Sequence, residues 1–154
     1  MDSETAIPPP DPRHRTALVA LTAIFWTAVA VSIVHYADNY FNYESFPQSE
    51  TLPNPSALTV LLAWFALTAF GLAGYELFRR RRYPIACICL GVYSGSGLVG
   101  IAHYAVPGMT DAVWWRQAHV VADIFLGAAV FAFALWGARR MPVYSLAESR
   151  QPMP

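Results

Sequence analysis

Four long apolar runs, separated by short polar stretches, set the pattern of the chain. They cover residues 16–36, 57–78, 84–104 and 114–138. Each run is close to the length of about 20 residues with which an α-helix crosses a bilayer core about 30 Å thick. Because backbone groups in lipid must bond to one another, such runs fold as helices. The pattern predicts an all-α integral membrane protein, a four-helix bundle formed by residues 16–138.

Two polar segments flank the predicted bundle, residues 1–15 and residues 139–154. The first is rich in proline, and neither contains enough apolar side chains to pack as a domain. We therefore expect a disordered N-terminal tail, which includes His14, and a second tail at the C-terminus. The polar, aromatic segment 37–56 between the first two runs is predicted to be a loop. It is the candidate lid or partner surface, and its aromatic side chains could equally lie flat on the lipid headgroups.

The composition agrees with a membrane protein. The chain is 56% hydrophobic and 13% charged, whereas a soluble domain is about 25% charged. Its formal net charge is zero, which argues against a nucleic-acid partner. Cys87 and Cys89 are two residues apart on a predicted helix and so point to different faces, which is typical of small buried side chains rather than of a disulfide or a chelating pair.

The arginines indicate how the bundle is oriented. Most of them fall on one side of it: Arg13, Arg15, Arg79–Arg82, Arg139 and Arg140. By the positive-inside rule that side is cytoplasmic, so both termini are inside (N-in/C-in), and Arg116 alone lies on the opposite side. We expect a multi-pass protein of the cell membrane, with a bacterial or archaeal inner membrane favoured.

A signal peptide is the alternative interpretation of the first run. Ala28–Ala30 resembles a cleavage site, and Arg13 and Arg15 could be the preceding charged region. The apolar run continues beyond that point to Tyr36, which favours a membrane-spanning helix.

Small residues recur at helical spacing along the third run. Gly91 precedes Gly95 by four residues, and Ser96 precedes Gly100 by four. Small side chains let neighbouring helices approach closely in lipid. The spacing predicts that the third helix is central in the bundle and packs closely through these positions.

The first and third runs end on similar sequences, each with a histidine followed by tyrosine and alanine. Helices 1 and 3 run in the same direction, so the match is consistent with a weak 2+2 parallel repeat. It places His35 and His103 at nearly the same depth, near the end of the bundle opposite the arginine-rich side.

The start of the fourth run places two further polar residues, His119 and Asp123, at that same end. His119 lies early in the predicted helix, and Asp123 follows four residues later on the same face. An ionised carboxylate inside a bilayer costs on the order of 3 kcal/mol, so Asp123 should face the bundle interior with a partner. The spacing predicts that His119 is that partner. Asp38, three residues beyond His35, adds a second carboxylate.

Three functions fit this cluster. A metal ion (zinc, iron or copper) could be held by His35, His103, His119, Asp123 and Asp38. Alternatively, His35 and His103 could supply the two axial ligands of a haem. Without a cofactor, His119 and Asp123 could act as acid and base on a lipid-soluble substrate, in an isomerase or a hydratase. Whether the chain is an enzyme stays open at this point. A fourth, non-enzymatic alternative is an accessory or structural subunit, with a membrane protein or a second copy of the chain as partner.

Overall fold

The structure, a computed structural model, describes residues 12–51 and 54–148. It contains four long helices: α1 (Pro12–Phe41), α2 (Ala57–Arg79), α3 (Tyr83–Leu98) and α4 (Trp114–Glu148). A 3₁₀ segment, Val99–Ala105, continues α3, and two short 3₁₀ turns span Tyr43–Ser45 and Met109–Asp111. Within the described residues there is no strand, so the all-α fold class is confirmed.

α1, α2 and α4, and α3 together with its 3₁₀ continuation, are each long and apolar enough to cross a membrane. The spans predicted from the sequence correspond to these four helices. Much of α2 faces outward, and its exposed side chains are large and apolar: Leu58, Leu62, Phe65, Phe70 and Leu72. Such a surface suits contact with lipid. The chain therefore has the character of a multi-pass membrane protein.

The helices are longer than the apolar runs that predict them. α1 begins at Pro12, four residues before the predicted start, because a proline in the first turn is pre-organised for a helix and loses no hydrogen bond there. α1 also continues to Phe41, since its last turns find partners on other helices, and α4 continues to Glu148. The remaining parts of the two predicted tails, residues 1–11 and 149–154, lie outside the described residues.

The helices pack in a ring in which each contacts its two neighbours. α1 packs against α2 and α4, and α3 packs against the same two helices from the other side. The main apolar core lies toward the end of the bundle at which α1 begins, and includes Phe25, Phe78, Leu90, Tyr93 and Val130. The opposite end of the bundle, where α1 ends and α4 begins, is called the site end below.

The closest approach between helices lies at Gly97 of α3 and Gly127 of α4. A Cβ atom on Gly97 would collide with the backbone carbonyl of Asp123, and one on Gly127 would lie 2.9 Å from the backbone of Ser94. By contrast, Cβ atoms on Gly91 and Gly95 would meet nothing within 4 Å. The prediction that Gly91 and Gly95 mediate close packing within the bundle is therefore wrong, because that face of α3 is turned outward.

We predict that Gly97→Ala destabilises the bundle by about 1–3 kcal/mol, since the added methyl group meets backbone that cannot move aside without separating α3 from α4. Thermal unfolding in mild detergent measures the effect. Gly91→Ala is the matched control and should leave the midpoint unchanged or slightly raised. Equal effects of the two substitutions would contradict the packing described here.

Candidate functional site

Three histidines converge at the site end. His35 lies near the end of α1, His103 in the 3₁₀ segment after α3, and His119 in the second turn of α4. The ring centroid of His35 is 5.5 Å from that of His103 and 5.5 Å from that of His119. The structure therefore brings together the side chains that the sequence places at one depth, while the roles predicted for them remain predictions.

The 3₁₀ geometry of the segment that carries His103 follows from its sequence. Gly95, Gly97 and Gly100 lie within six residues, and glycine weakens an α-helix by about 1 kcal/mol per residue. A Cβ atom on Gly100 would lie 3.1 Å from the side chain of Ile124, so this glycine lets the segment pack closely against α4. The glycines thus let the chain tighten into the 3₁₀ segment that carries His103.

The carboxylate of Asp123 is paired with His35. The Nδ1 atom of His35 donates to Oδ2 of Asp123 at 2.7 Å, and both side chains are 2% exposed. This pairing corrects the sequence prediction, which assigned His119 to Asp123. Side chains on a helix lean toward its N-terminus. From α4, His119 therefore reaches toward the end of the bundle and Asp123 reaches the level of His35, so the two do not meet.

His119 instead pairs with Asp38. Its Nε2 atom donates to Oδ2 of Asp38 at 3.2 Å. Its Nδ1 atom is buried and has no hydrogen-bond partner among the described residues. An unsatisfied buried polar atom costs about 1–3 kcal/mol, so this nitrogen is an unusual feature that calls for a partner.

Arg116 is the residue of the site that sequence reasoning missed. Its guanidinium donates two hydrogen bonds to the carboxylate of Asp38, from Nε to Oδ2 at 2.8 Å and from Nη2 to Oδ1 at 3.3 Å. A third bond, from Nη1 to the carbonyl of Ser45 at 3.0 Å, ties the loop after α1 to α4. The sequence could have indicated this residue, because Arg116 stands apart from the other arginines at the start of an apolar run. A single cation in that position is stabilised by a nearby carboxylate.

His35 and His103 face each other through equivalent nitrogens. Their Nε2 atoms are 3.4 Å apart, and Nδ2 of Asn39 lies 3.1 Å from Nε2 of His103. If both Nε2 atoms carried only a lone pair, they would repel each other. A proton on Nε2 of His35 removes the repulsion, and His35 then donates through both of its ring nitrogens. The arrangement supports a long hydrogen bond from His35 to His103.

The charges of the cluster also favour one proton on its imidazoles beyond the neutral state. Asp38 and Asp123 contribute two negative charges when ionised, and Arg116 contributes one positive charge. One protonated imidazole makes the cluster neutral, which favours burial because uncompensated charge is costly in a low-dielectric interior. The Asp123–His35–His103 series provides a place for that proton.

A pocket of about 250 Å³ opens beside His35 and His103. Asn39 and Phe46 are among its lining residues, together with Tyr43, Gln48 and Asn54 from the loop after α1. Phe46 is 3% exposed, its ring centroid lies 5.0 Å from that of His103, and the guanidinium carbon of Arg116 lies 4.6 Å from its centroid. The predicted loop therefore contacts the site directly.

The remaining histidine takes no part in the cluster. His14 lies in the first turn of α1 rather than in a tail, at the opposite end of the bundle, where its Nδ1 atom is 3.0 Å from the hydroxyl of Tyr83. The cysteines are also elsewhere: Cys87 is buried in the apolar core, and Cys89 is partly exposed.

Among the described residues, no group of three or more histidine, cysteine, aspartate or glutamate side chains is arranged to hold a metal ion. The Nε2 atoms of His35 and His103, the predicted axial ligands of a haem, are in direct contact at 3.4 Å. Haem ligation by this pair stays a prediction.

No protein-family model, curated protein or solved structure matches the chain. The geometry of the site is therefore the basis on which a function is assigned.

We predict that Arg116→Gln destabilises the protein by about 3–5 kcal/mol, because it leaves the buried carboxylate of Asp38 without its cation. The double variant with Asp38→Asn should be less destabilised than the sum of the two single changes. Unfolding in detergent provides the measurement. Arg79→Gln, which removes an exposed partner of Glu76, is the control and should have no measurable effect; additive losses at Asp38 and Arg116 would contradict the pairing.

Proposed function

We propose that the protein is a membrane-embedded acid–base catalyst, whose Asp123–His35–His103 series moves a proton to and from a small lipid-soluble molecule bound in the pocket beside His103. The observation that carries this proposal is the contact at 3.4 Å between the two Nε2 atoms, backed by the hydrogen bond from His35 to Asp123. By the arginine distribution, the site lies at the non-cytoplasmic face of the cell membrane.

Each residue has a distinct role in this proposal. His103 is half-buried and lines the pocket, so its imidazole is the group that exchanges a proton with the bound molecule. His35 supplies or accepts that proton through Nε2. Asp123 stabilises the protonated state of His35 through Nδ1 and fixes the orientation of the ring, as carboxylates commonly do for catalytic histidines.

The pocket indicates the size and character of the substrate. Its volume of about 250 Å³ is below the range of about 300–1,000 Å³ of sites for drug-sized ligands. Apolar side chains from α2 and the 3₁₀ segment, including Val60, Val99 and Ala102, line one side, and amides such as Asn54 line the other. A small amphipathic molecule, or the polar end of a longer lipid, suits these walls.

The chemistry available is proton transfer without a change of oxidation state. An enzyme with an acid–base pair and a partly enclosed apolar pocket would isomerise its substrate or add or remove water. The roles predicted from the sequence are thus reassigned: His35 and Asp123 form the pair, with His103 at the substrate, and His119 is left outside this series.

A bound metal ion is the second candidate, and one distance favours it. Two nitrogens that bind the same tetrahedral zinc ion, each about 2.0–2.1 Å away from it, lie about 3.4 Å apart. The Nε2 atoms of His35 and His103 have this separation, and Asp123 behind His35 is the usual partner of a ligating histidine. The other ligands would have to come from water or substrate, since the described residues offer only two.

The following experiment tests the proposed function. Purified protein in nanodiscs is incubated with a total lipid extract of the host membrane, and the products are compared by mass spectrometry with those of His103→Gln. We expect compounds that differ from their precursors by no mass or by one water to form only with the unchanged protein, because His103→Gln removes the proton carrier from the pocket.

Glu76→Gln, an exposed change at the other end of the bundle, is the control and should retain full activity. Elemental analysis of the same samples separates the candidates: stoichiometric zinc that His103→Gln abolishes supports the metal site. Identical extracts from all three proteins, with no metal bound, would contradict both candidates and favour the accessory subunit.

A further inference from the structure

A second concavity lies on the side of the bundle, between α1 and α4. It is an open depression of about 530 Å³, lined by Trp26, Thr27, Ala30, Val31 and Val34 from α1 and by His119 and Ala122 from α4. Trp26 is 47% exposed and Val34 is 52% exposed, and both lie within a helix apolar enough to span a membrane. This lateral groove is distinct from the pocket beside His103, and the two share no lining residue.

His119 is the titratable side chain among the residues that line the groove. The residue is 9% exposed, its Nε2 atom donates to Asp38, and its buried Nδ1 atom has no hydrogen-bond partner among the residues described. Because Arg116 already balances the charge of Asp38, His119 is neutral in this arrangement. Its single proton is on Nε2, and Nδ1 therefore carries a lone pair that can only accept a hydrogen bond.

We propose that the lateral groove binds a membrane-dissolved alcohol, a molecule with one hydroxyl group on a long apolar body, and that on binding a small shift of the groove side chains opens the buried Nδ1 atom of His119 to a hydrogen bond from this hydroxyl. The groove wall from Trp26 to Val34 spans nine residues of α1, a rise of about 12 Å along the helix. The hydroxyl would lie near the level of Asp38, and the apolar body would extend along α1 toward the middle of the bundle. This is the orientation that a long-chain or isoprenoid alcohol adopts in a bilayer leaflet.

The chemistry of the groove favours a hydroxyl over several other lipid groups. A hydrocarbon chain would leave Nδ1 without a partner, and esters, ketones and quinones present acceptors to an atom that is itself an acceptor. An anionic headgroup would approach the carboxylate of Asp38 with a like charge. A hydroxyl group can donate to this nitrogen, and the mainly apolar walls accept the rest of the molecule.

Nitrogen NMR of the full-length chain in nanodiscs tests this proposal directly. The chain contains four histidines, so labelling histidine with ¹⁵N yields a spectrum simple enough to assign with single variants. Farnesol is the probe, and farnesyl methyl ether, which has the same body without the donor, is the matched control ligand. We expect a lone-pair Nδ1 signal for His119 that farnesol shifts saturably, while the ether binds about tenfold more weakly, as the loss of one hydrogen bond predicts.

Variants that fill the groove complete the test. Ala30→Phe and Val34→Trp leave the imidazole in place and should abolish the shift, whereas Ala128→Phe, on an exposed position of α4 outside the groove, should preserve it. Unchanged His35 and His103 signals verify that each variant is folded. A protonated Nδ1 in the absence of ligand, equal binding of alcohol and ether, or binding that survives both groove-filling changes would overturn the proposal.

Because the readout is binding at His119, its result does not depend on whether His103 is catalytic. Farnesol shifts that persist in His103→Gln would support the groove even if the proposed acid–base activity failed.

Discussion

A carboxylate that is buried away from water needs a compensating charge or hydrogen bonds. Two such carboxylates lie at the site end of the bundle and determine which side chains surround them. Asp38 is 7% exposed and Asp123 is 1% exposed. Arg116 from α4 compensates the first, and His35 from α1 compensates the second. Each pair joins α1 to α4, so the same contacts that make the carboxylates tolerable also hold the two helices in register.

The packing of α3 against α4 has a direct consequence for the chemistry. Gly97 rests against the backbone of Asp123, which fixes the depth of that carboxylate. A few residues later the chain tightens into the 3₁₀ segment and brings His103 to Nε2 of His35. The glycines of α3 therefore serve two purposes: they allow close contact with α4, and they shape the segment that carries the histidine beside the pocket.

The three imidazoles divide between two environments. His103 lines the pocket under the loop after α1, and His119 lines the lateral groove between α1 and α4, while His35 lies between the two rings. No hydrogen bond within the described part of the chain joins His35 to His119 directly. The two openings are therefore chemically separate, one suited to proton exchange and the other to recognition of a hydroxyl group.

The sequence predicted the helices and the approximate depth of the site because both follow from simple one-dimensional rules. Runs of about 20 apolar residues define spans, and His35, His103 and His119 fall at similar distances from span ends. The pairing of side chains was not predictable in the same way. The i, i+4 spacing of His119 and Asp123 suggested a local pair, but contacts across helices decided the outcome. Arg116 was missed because its partner, Asp38, is 78 residues away in the chain.

The central claim of this account is that His35 and His103 meet inside the bundle through their Nε2 atoms. Solid-state NMR of protein with ¹⁵N-labelled histidine in lipid bilayers measures this contact through the dipolar coupling between nitrogens of different residues. The account predicts an inter-residue cross-peak between Nε2 of His35 and Nε2 of His103 at long mixing times, weaker than the correlations within each ring, as their 3.4 Å separation requires. A spectrum with correlations only within each ring would show that the two histidines are apart, and would contradict the site described here.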